Sequence, residues 1–211
     1  MQSQINKKIV LFDIDYTLID TARLRQLTDE KILLITKLPK DSLEKATKEY
    51  AQTLKISIEF SPKIYAQFLA NYFNNPIIET KVNAVFDQPS VYRQAIYSET
   101  ISALDKLKEK HSLGIFSEGI KEFQMAKLIL SGLINYFAQN FIFIFPDKTG
   151  KAGELVEELG EIYFVDDNPR HIKDIALTPG AHPIWLKRGP KAATEEKLDC
   201  PTILSLEELN L

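Results

Sequence analysis

The chain holds almost no sulfur to build with. One of its 211 residues is a cysteine, Cys200. That excludes an intramolecular disulfide and a cysteine-ligated zinc cluster. Cys200 stands before Pro201 and reads as a small packed hydrophobe. Charge of one sign is lacking too: 26 Lys and Arg face 29 Asp and Glu, for a net −3. The basic residues are scattered among the acidic ones, so no stripe suggests a nucleic-acid surface. Long apolar runs are also missing. The opening "MQSQINKKIVLFD" carries two lysines and a short apolar run cut off at Asp13. A secretory signal needs a longer apolar core and a small-residue cleavage site. The stretch "FIFIFP" is far too short to span a bilayer. A cytoplasmic location, with no membrane or nucleic-acid partner, is expected by elimination. There is no internal repeat and no low-complexity tract. What remains is an ordinary globular composition, 45% hydrophobic and 26% charged. The length suits one large domain, or one carrying an insertion, and buries enough surface to need no cross-links.

Five β-rich apolar runs are present: "KIVLFDID", "SLGIFSEG", "NFIFIFP", "EIYFVDDN" and "HPIWLKRG". Helical patterns lie between most of them. "SETISALDKLKEKH" spaces Ile101, Leu104 and Leu107 for a helix, with Ser98 as N-cap. "KEFQMAKLILSGL" does the same with Phe123, Met125, Ala126, Ile129 and Leu130, and Gly132 reads as the stop. "AGELVEELG" closes at Gly160. "PRHIKDIAL" begins with Asn168 as cap and Pro169 at the first helical position. Strands alternating with helices predict an α/β fold, a parallel sheet with helices on both faces. From Thr21 to Tyr92 the strand signal vanishes. The helical patterns "TDEKILLITK", "KDSLEKATKEYAQTL" and "SPKIYAQFLANYF" take its place, the last opened by Ser61-Pro62. Pro39 and "NNPIIE" read as breaks. Residues 1–20 and 93–211 are therefore expected to form one Rossmann-like core, and 21–92 an inserted helical unit.

In open α/β sheets, sites form at the carboxyl ends of the strands. The first strand ends in Asp13 and Asp15. The second ends in Ser117, Glu118 and Gly119, the third is followed by Asp147 and Lys148, and the fourth ends in Asp166, Asp167 and Asn168. Residues two apart on a strand share a face, and like charges so placed repel unless something positive intervenes. Carboxylates converging in one crevice call for a divalent cation. Hard oxygen ligands suit Mg²⁺, held by one or two carboxylates plus substrate phosphate. A serine and a lysine supply donors for an anion, and a carboxylate can attack phosphorus to give an aspartyl-phosphate.

These residues resemble a known family. "DIDYT" looks like the DxDxT signature of the haloacid dehalogenase-like hydrolases. "LGIFSEG", Lys148 and "IYFVDDN" resemble that family's second, third and fourth motifs, in order. The helical insertion falls where the family's first type of cap falls. The resemblance implies a phosphatase with Asp13 as nucleophile and Asp15 as proton donor and acceptor. It implies phosphate contacts from Ser117, Glu118, Gly119 and Lys148, with Lys148 also pairing Asp13. Mg²⁺ would be held by Asp13, the Asp15 backbone carbonyl and the fourth motif, Asp167 directly and Asp166 behind it. Thr17 would support the loop after the nucleophile.

Some readings stay open. The lysine stands in "PDKTGKAGEL", where Lys148 and Lys151 compete and the distance to the next helix favours Lys148. Glu118 places a charge beside an anion pocket and reads as a solvated loop acid. His111, His171 and His182 are dispersed. His111 is expected at a helix C-terminus and His171 at the surface. The cap aromatics Phe60, Tyr65, Phe68, Tyr72 and Phe73 read as cap core. A ring-bearing substrate is favoured if one or two of them instead face the sheet. Arg23 and Arg25 read as a solvated face. The dehalogenase branch has no need of Asp15 or of paired acids, so phosphoryl transfer from a small phosphorylated metabolite is expected. A phosphomutase and a non-catalytic Mg²⁺- and phosphate-binding regulator are the alternatives. A receiver-type domain would not account for the insertion. Nothing in the pattern sets an oligomeric state.

Overall fold

The computed structural model describes residues 7–54, 60–193 and 197–211. The first six residues of the opening stretch, and residues 58 and 59 before the cap aromatics, lie outside these. Six parallel strands form one sheet: β1 (Ile9–Phe12), β2 (Ser112–Glu118), β3 (Ile142–Phe145), β4 (Ile162–Asp166), β5 (Ala181–Leu186) and β6 (Thr202–Ile203). Their order is β3-β2-β1-β4-β5-β6. The five longer strands are the five apolar runs. The two-residue β6 is too short for a sequence pattern and exists by pairing with Trp185 and Leu186.

The strand residues alternate between two cores. Val10, Phe12, Leu113, Ile115 and Val165 face one side, with Ala103, Leu104 and Leu107 of α6 (Thr100–Lys110) and Leu128 of α7 (Lys121–Ser131). Leu11, Phe116, Ile162 and Phe164 face the other, with Ala152 and Leu155 of α8 (Lys151–Leu159) and Ile175 of α9 (Pro169–Ala176). A parallel sheet covered on both faces requires strands that are apolar throughout, which is why these runs do not alternate with polar residues. Gly114 in β2 is fixed by space. A Cβ there would meet the Phe141 carbonyl at 2.3 Å and Leu11 Cδ2 at 2.6 Å.

The stretch between β1 and β2 is helical: α1 (Thr21–Thr36), α2 (Lys40–Thr53), α3 (Pro62–Tyr72), α4 (Ile77–Phe86) and α5 (Pro89–Arg93) precede α6. Ser61 caps α3 by accepting from the Ile64 N–H, with Pro62 in the first turn, as the pattern predicts. Asn168 caps α9 by accepting from Arg170. Gly132 ends α7 in the left-handed region, φ 87°. Ser98 does not cap α6. Glu99 holds that position and makes no side-chain cap bond. The break read at "NNPIIE" falls between α3 and α4, with Pro76 as the N-cap of α4; Pro89 opens α5, its fixed φ suiting a first turn.

This helical unit has its own core of Ile32, Leu43, Tyr50, Tyr65, Leu69, Ile78 and Val82. Leu24 and Leu27 at the start of α1, and Val91 and Tyr92 of α5, belong instead to the sheet core. So α1 begins on the sheet and ends in the insertion. Among the described residues no helix is long and apolar enough to cross a membrane.

Candidate active site

The sheet reverses its winding between β1 and β4, since β2 and β3 extend one way from β1 and β4 to β6 the other. Crevices at the carboxyl ends of such neighbours receive ligands. Asp13 leaves β1 still paired, its N–H donating to the Val165 carbonyl at 2.9 Å. Beside it, β4 ends in Asp166 and runs on to Asp167. Asp13, Asp166 and Asp167 are all buried, and one carboxylate oxygen from each lies within 4.8 Å of the others.

Lys148 answers part of this charge. Its side chain is buried, and Nζ donates to Asp13 Oδ1 at 2.8 Å, Asp166 Oδ2 at 2.6 Å and the Phe116 carbonyl at 3.2 Å. Burial alone would lower the pKa of the ammonium. The two carboxylates outweigh that and hold its pKa above the ordinary lysine value. Lys151, the competing lysine, pairs with Glu154 one turn along α8 and reaches neither acid. All three Lys148 protons are engaged, so contact with a phosphate requires one of these bonds to be exchanged.

The three carboxylates are not alike. Asp166 also accepts from the Asn168 N–H. Against the cost of burial, Lys148 and then His171 hold its pKa well below the carboxylate range. Burial pushes Asp13 up to about 6, with Asp166 and Asp15 adding to the effect against Lys148. Asp167 is pushed up to about 8 by burial and by the charges of Asp13 and Asp166. No hydrogen bond reaches its carboxylate from the described residues. A hard divalent cation suits this donor set, with Asp13 and Asp167 facing it and Asp166 behind them. Among the described residues nothing donates to the Asp15 carbonyl, which leaves that oxygen open as well.

Asp15 does not share the lysine of Asp13. The chain turns just after Asp15, at Tyr16, φ 56°, and the Asp15 side chain meets α7. Its carboxylate accepts from Lys127 Nζ at 2.6 and 2.7 Å, from Gln124 Nε2 at 2.9 Å and from Thr21 Oγ1 at 2.5 Å. Burial would raise the Asp15 pKa; Lys127 first, then its hydrogen bonds, bring it below the usual value. The two acids of the opening motif thus each stand beside their own cation.

Gln124 and Lys127 were not legible as site residues. The apolar spacing in α7 predicts a buried face of Phe123, Met125, Ala126, Ile129 and Leu130. The helix buries Gln124, Lys127, Leu128 and Ser131 instead, and Ile129 is exposed. These four lie at i, i+3, i+4 and i+7, so polar residues at core spacing were the available signal. In α6 likewise Ile101 is exposed while Thr100, Ala103, Leu104 and Leu107 are buried.

The second motif needs two corrections. The Gly119 N–H donates to the Phe145 carbonyl at 2.8 Å, so it is not a free anion donor. Gly119 serves by shape: at φ 134° a Cβ would come within 2.8 Å of Gln124 Nε2. Glu118 is not a solvated acid, and its carboxylate is not suited to meet a phosphate. It accepts from the Lys148 N–H at 3.2 Å and lies 3.5 Å from His171 Nε2. His171 is therefore in the site, with Nδ1 3.5 Å from Asp166. Ser117 Oγ is buried and unpartnered among the described residues, as a donor awaiting a ligand would be. Thr17 is buried, and its hydroxyl makes no turn bond among the described residues. His111 caps α6, where burial lowers its pKa, and His182 stacks on Tyr163, both away from this cluster.

A cavity of about 460 Å³ opens from Asp13, Asp15 and Asp167 to the helical insertion. Arg25 is on its wall, 4.0 Å from Asp29 at a largely exposed edge.

The haloacid dehalogenase-like hydrolase model matches residues 10–151, and the chain belongs to that family. Several solved structures share its fold. A Burkholderia xenovorans protein given the same family description is 19% identical, with 95% of this chain and 93% of that one covered and a TM-score of 0.71. The magnesium-bound HAD-hydrolase YfnB of Bacillus subtilis is 18% identical, with 96% of each chain covered and a TM-score of 0.62. A 2-haloacid dehalogenase of Pseudomonas syringae is 19% identical, with 95% of each chain covered and a TM-score of 0.61. No curated protein matches the sequence.

Proposed function

We propose that this hydrolase is a Mg²⁺-dependent phosphatase that cleaves a small phosphomonoester through an aspartyl-phosphate on Asp13. The observation that carries the reading is the trio Asp13, Asp166 and Asp167, buried together with Lys148 as the one cation hydrogen-bonded to it among the described residues. An aspartate attacking carbon needs neither a third buried acid nor Asp15. Bound beside Asp13 and Asp167, Mg²⁺ would neutralise this charge and that of the phosphoryl oxygens.

The chain's own residues carry the steps. Lys148 fixes the Asp13 carboxylate, whose free oxygen attacks phosphorus as the ester P–O bond breaks. Asp15 gives the leaving alkoxide its proton. An incoming phosphate opposes the Lys127 field and raises the proton affinity of Asp15. Asp15 then takes a proton from the water that attacks the phosphorus of phospho-Asp13, freeing inorganic phosphate and restoring Asp13. Ser117 would donate to a phosphoryl oxygen. Residues 21–92 would act as a cap that excludes water. A cytoplasmic setting is compatible with a chain of one cysteine.

Phosphate release from a panel of monoesters, with Mg²⁺ and with EDTA, tests this. Turnover is expected only with Mg²⁺, and Asp13→Asn is expected to abolish it. Halide release from 2-haloacids in EDTA, without phosphate release from any ester, would overturn the reading in favour of dehalogenation. Phosphate moved within a sugar rather than released would indicate the mutase. Tight phosphate binding without turnover would indicate the regulator.

A further inference from the structure

The cavity is much larger than the acids at its floor require. Its volume lies in the range, about 300–1,000 Å³, of pockets that enclose a whole drug-sized ligand. Above Asp15 its wall is aromatic. Phe60 and Phe86 come from the insertion and Phe123 from α7 of the sheet domain. Their ring centroids are mutually 5.6–6.2 Å apart. Tyr65 adds an edge contact to Phe86 at 6.5 Å. Phe60, Phe86 and Phe123 are all only half-buried, so the cluster is not closed off as a core.

Most polar groups along the same wall are occupied, and the two that lack a partner among the described residues, the Tyr50 hydroxyl and Gln124 Oε1, are buried. Thr28 Oγ1 donates to the Leu24 carbonyl. Thr47 Oγ1 bonds the Leu43 carbonyl and the Tyr65 hydroxyl at 2.6 Å. Gln124 uses both amide protons on Asp15 and the Glu118 carbonyl. A site made to select a hydroxyl-rich alcohol presents unpaired donors and acceptors to it. Apart from those two buried atoms this wall presents mainly ring faces and edges, which favour another ring in an offset or edge-on arrangement.

Phe123 also ties the chamber to the chemistry. It precedes Gln124 and lies one turn before Lys127, two of the three side chains that hold Asp15. Lys127 Nζ sits 4.6 Å over its ring. One helix therefore presents both the support of the second acid and the aromatic wall.

We propose that the chamber selects phosphomonoesters of ring-bearing, hydroxyl-poor alcohols, with the ring packed against the wall of Phe60, Phe86 and Phe123. The assignment rests on the phosphatase reading for its phosphate end. The test uses esters whose leaving groups are all primary alkoxides: benzyl phosphate, ethyl phosphate and ribose 5-phosphate. With Mg²⁺, kcat/KM for benzyl phosphate is expected to exceed that for each of the others by roughly 10–100-fold. In Phe123→Ala the benzyl-to-ethyl ratio should fall toward one, and Phe123→Leu should retain part of it. Calorimetric titration with benzylphosphonate and ethylphosphonate reads the same selectivity without turnover. Ring-selective binding without turnover of any ester would keep the chamber and remove the phosphatase reading. Equal or reversed preference in both assays would overturn the chamber, as would a ratio unchanged in a folded Phe123→Ala protein.

Discussion

Two lysines divide the acids of the first motif, and their removal should have different consequences. Lys148 is buried against Asp13 and Asp166. Lys148→Met leaves two buried carboxylates without their cation, a loss of roughly 3–5 kcal/mol. Urea unfolding in EDTA at pH 7.5 checks this, and an unchanged midpoint would remove the structural part of its role. Asp15→Asn keeps the shape but can neither give nor take the proton. The expected loss in kcat is about 10²–10⁴-fold, with the fold retained by circular dichroism. Lys148, Asp13 and Asp166 were legible because each stands at a strand end or in the loop just beyond one. His171, Gln124 and Lys127 were not, since each acts through a helix face that only packing orients.

Among the elements, the central strands follow from their residues, and the helix faces do not. Runs such as "IVLF" and "IYFV" cannot be left in water, and a doubly covered sheet is where such runs go. Gly114 marks the close approach of β2 to Phe141. Gly114→Ala should destabilise by at least ~1–3 kcal/mol, the usual cost of overpacking, measurable as a lower urea midpoint with an unchanged slope. In α7 the apolar residues point partly outward because Gln124 and Lys127 find a carboxylate to satisfy. A buried ion pair with three hydrogen bonds displaces a face that hydrophobicity alone would have chosen. The short α5 and β6 carry too few residues for any period, and they form by docking onto elements already in place.

At the scale of the whole molecule, the acid cluster links stability to pH and to metal. Asp13 and Asp167 have native pKa values of about 6 and about 8, against an ordinary 3.8. Between about pH 4 and 8 the native state therefore binds more protons than the unfolded chain, and this contribution to stability falls as pH rises. Asp15 and Asp166 are shifted the other way, so their contribution is lost only as pH falls below about 4. A cation competes with the protons for the same oxygens. Mg²⁺ should raise Tm more at pH 8 than at pH 5, as thermal melts at both values would reveal. A larger rise at pH 5 would contradict the arrangement of Asp13 and Asp167 around a shared cation.

The sequence by itself determined the five longer strands, the order of the motifs and the place of the helical insertion. Those features depend on local composition and on chain order. Tertiary structure alone decided which charges meet. Asp13 and Asp15 go to different lysines, and the pitch of α7 brings Lys127 to Asp15 across 112 residues. The rings of Phe60 and Phe86, from the insertion, meet Phe123 on α7. Contacts at such separations depend on how whole elements pack, and no window of neighbouring residues contains that information.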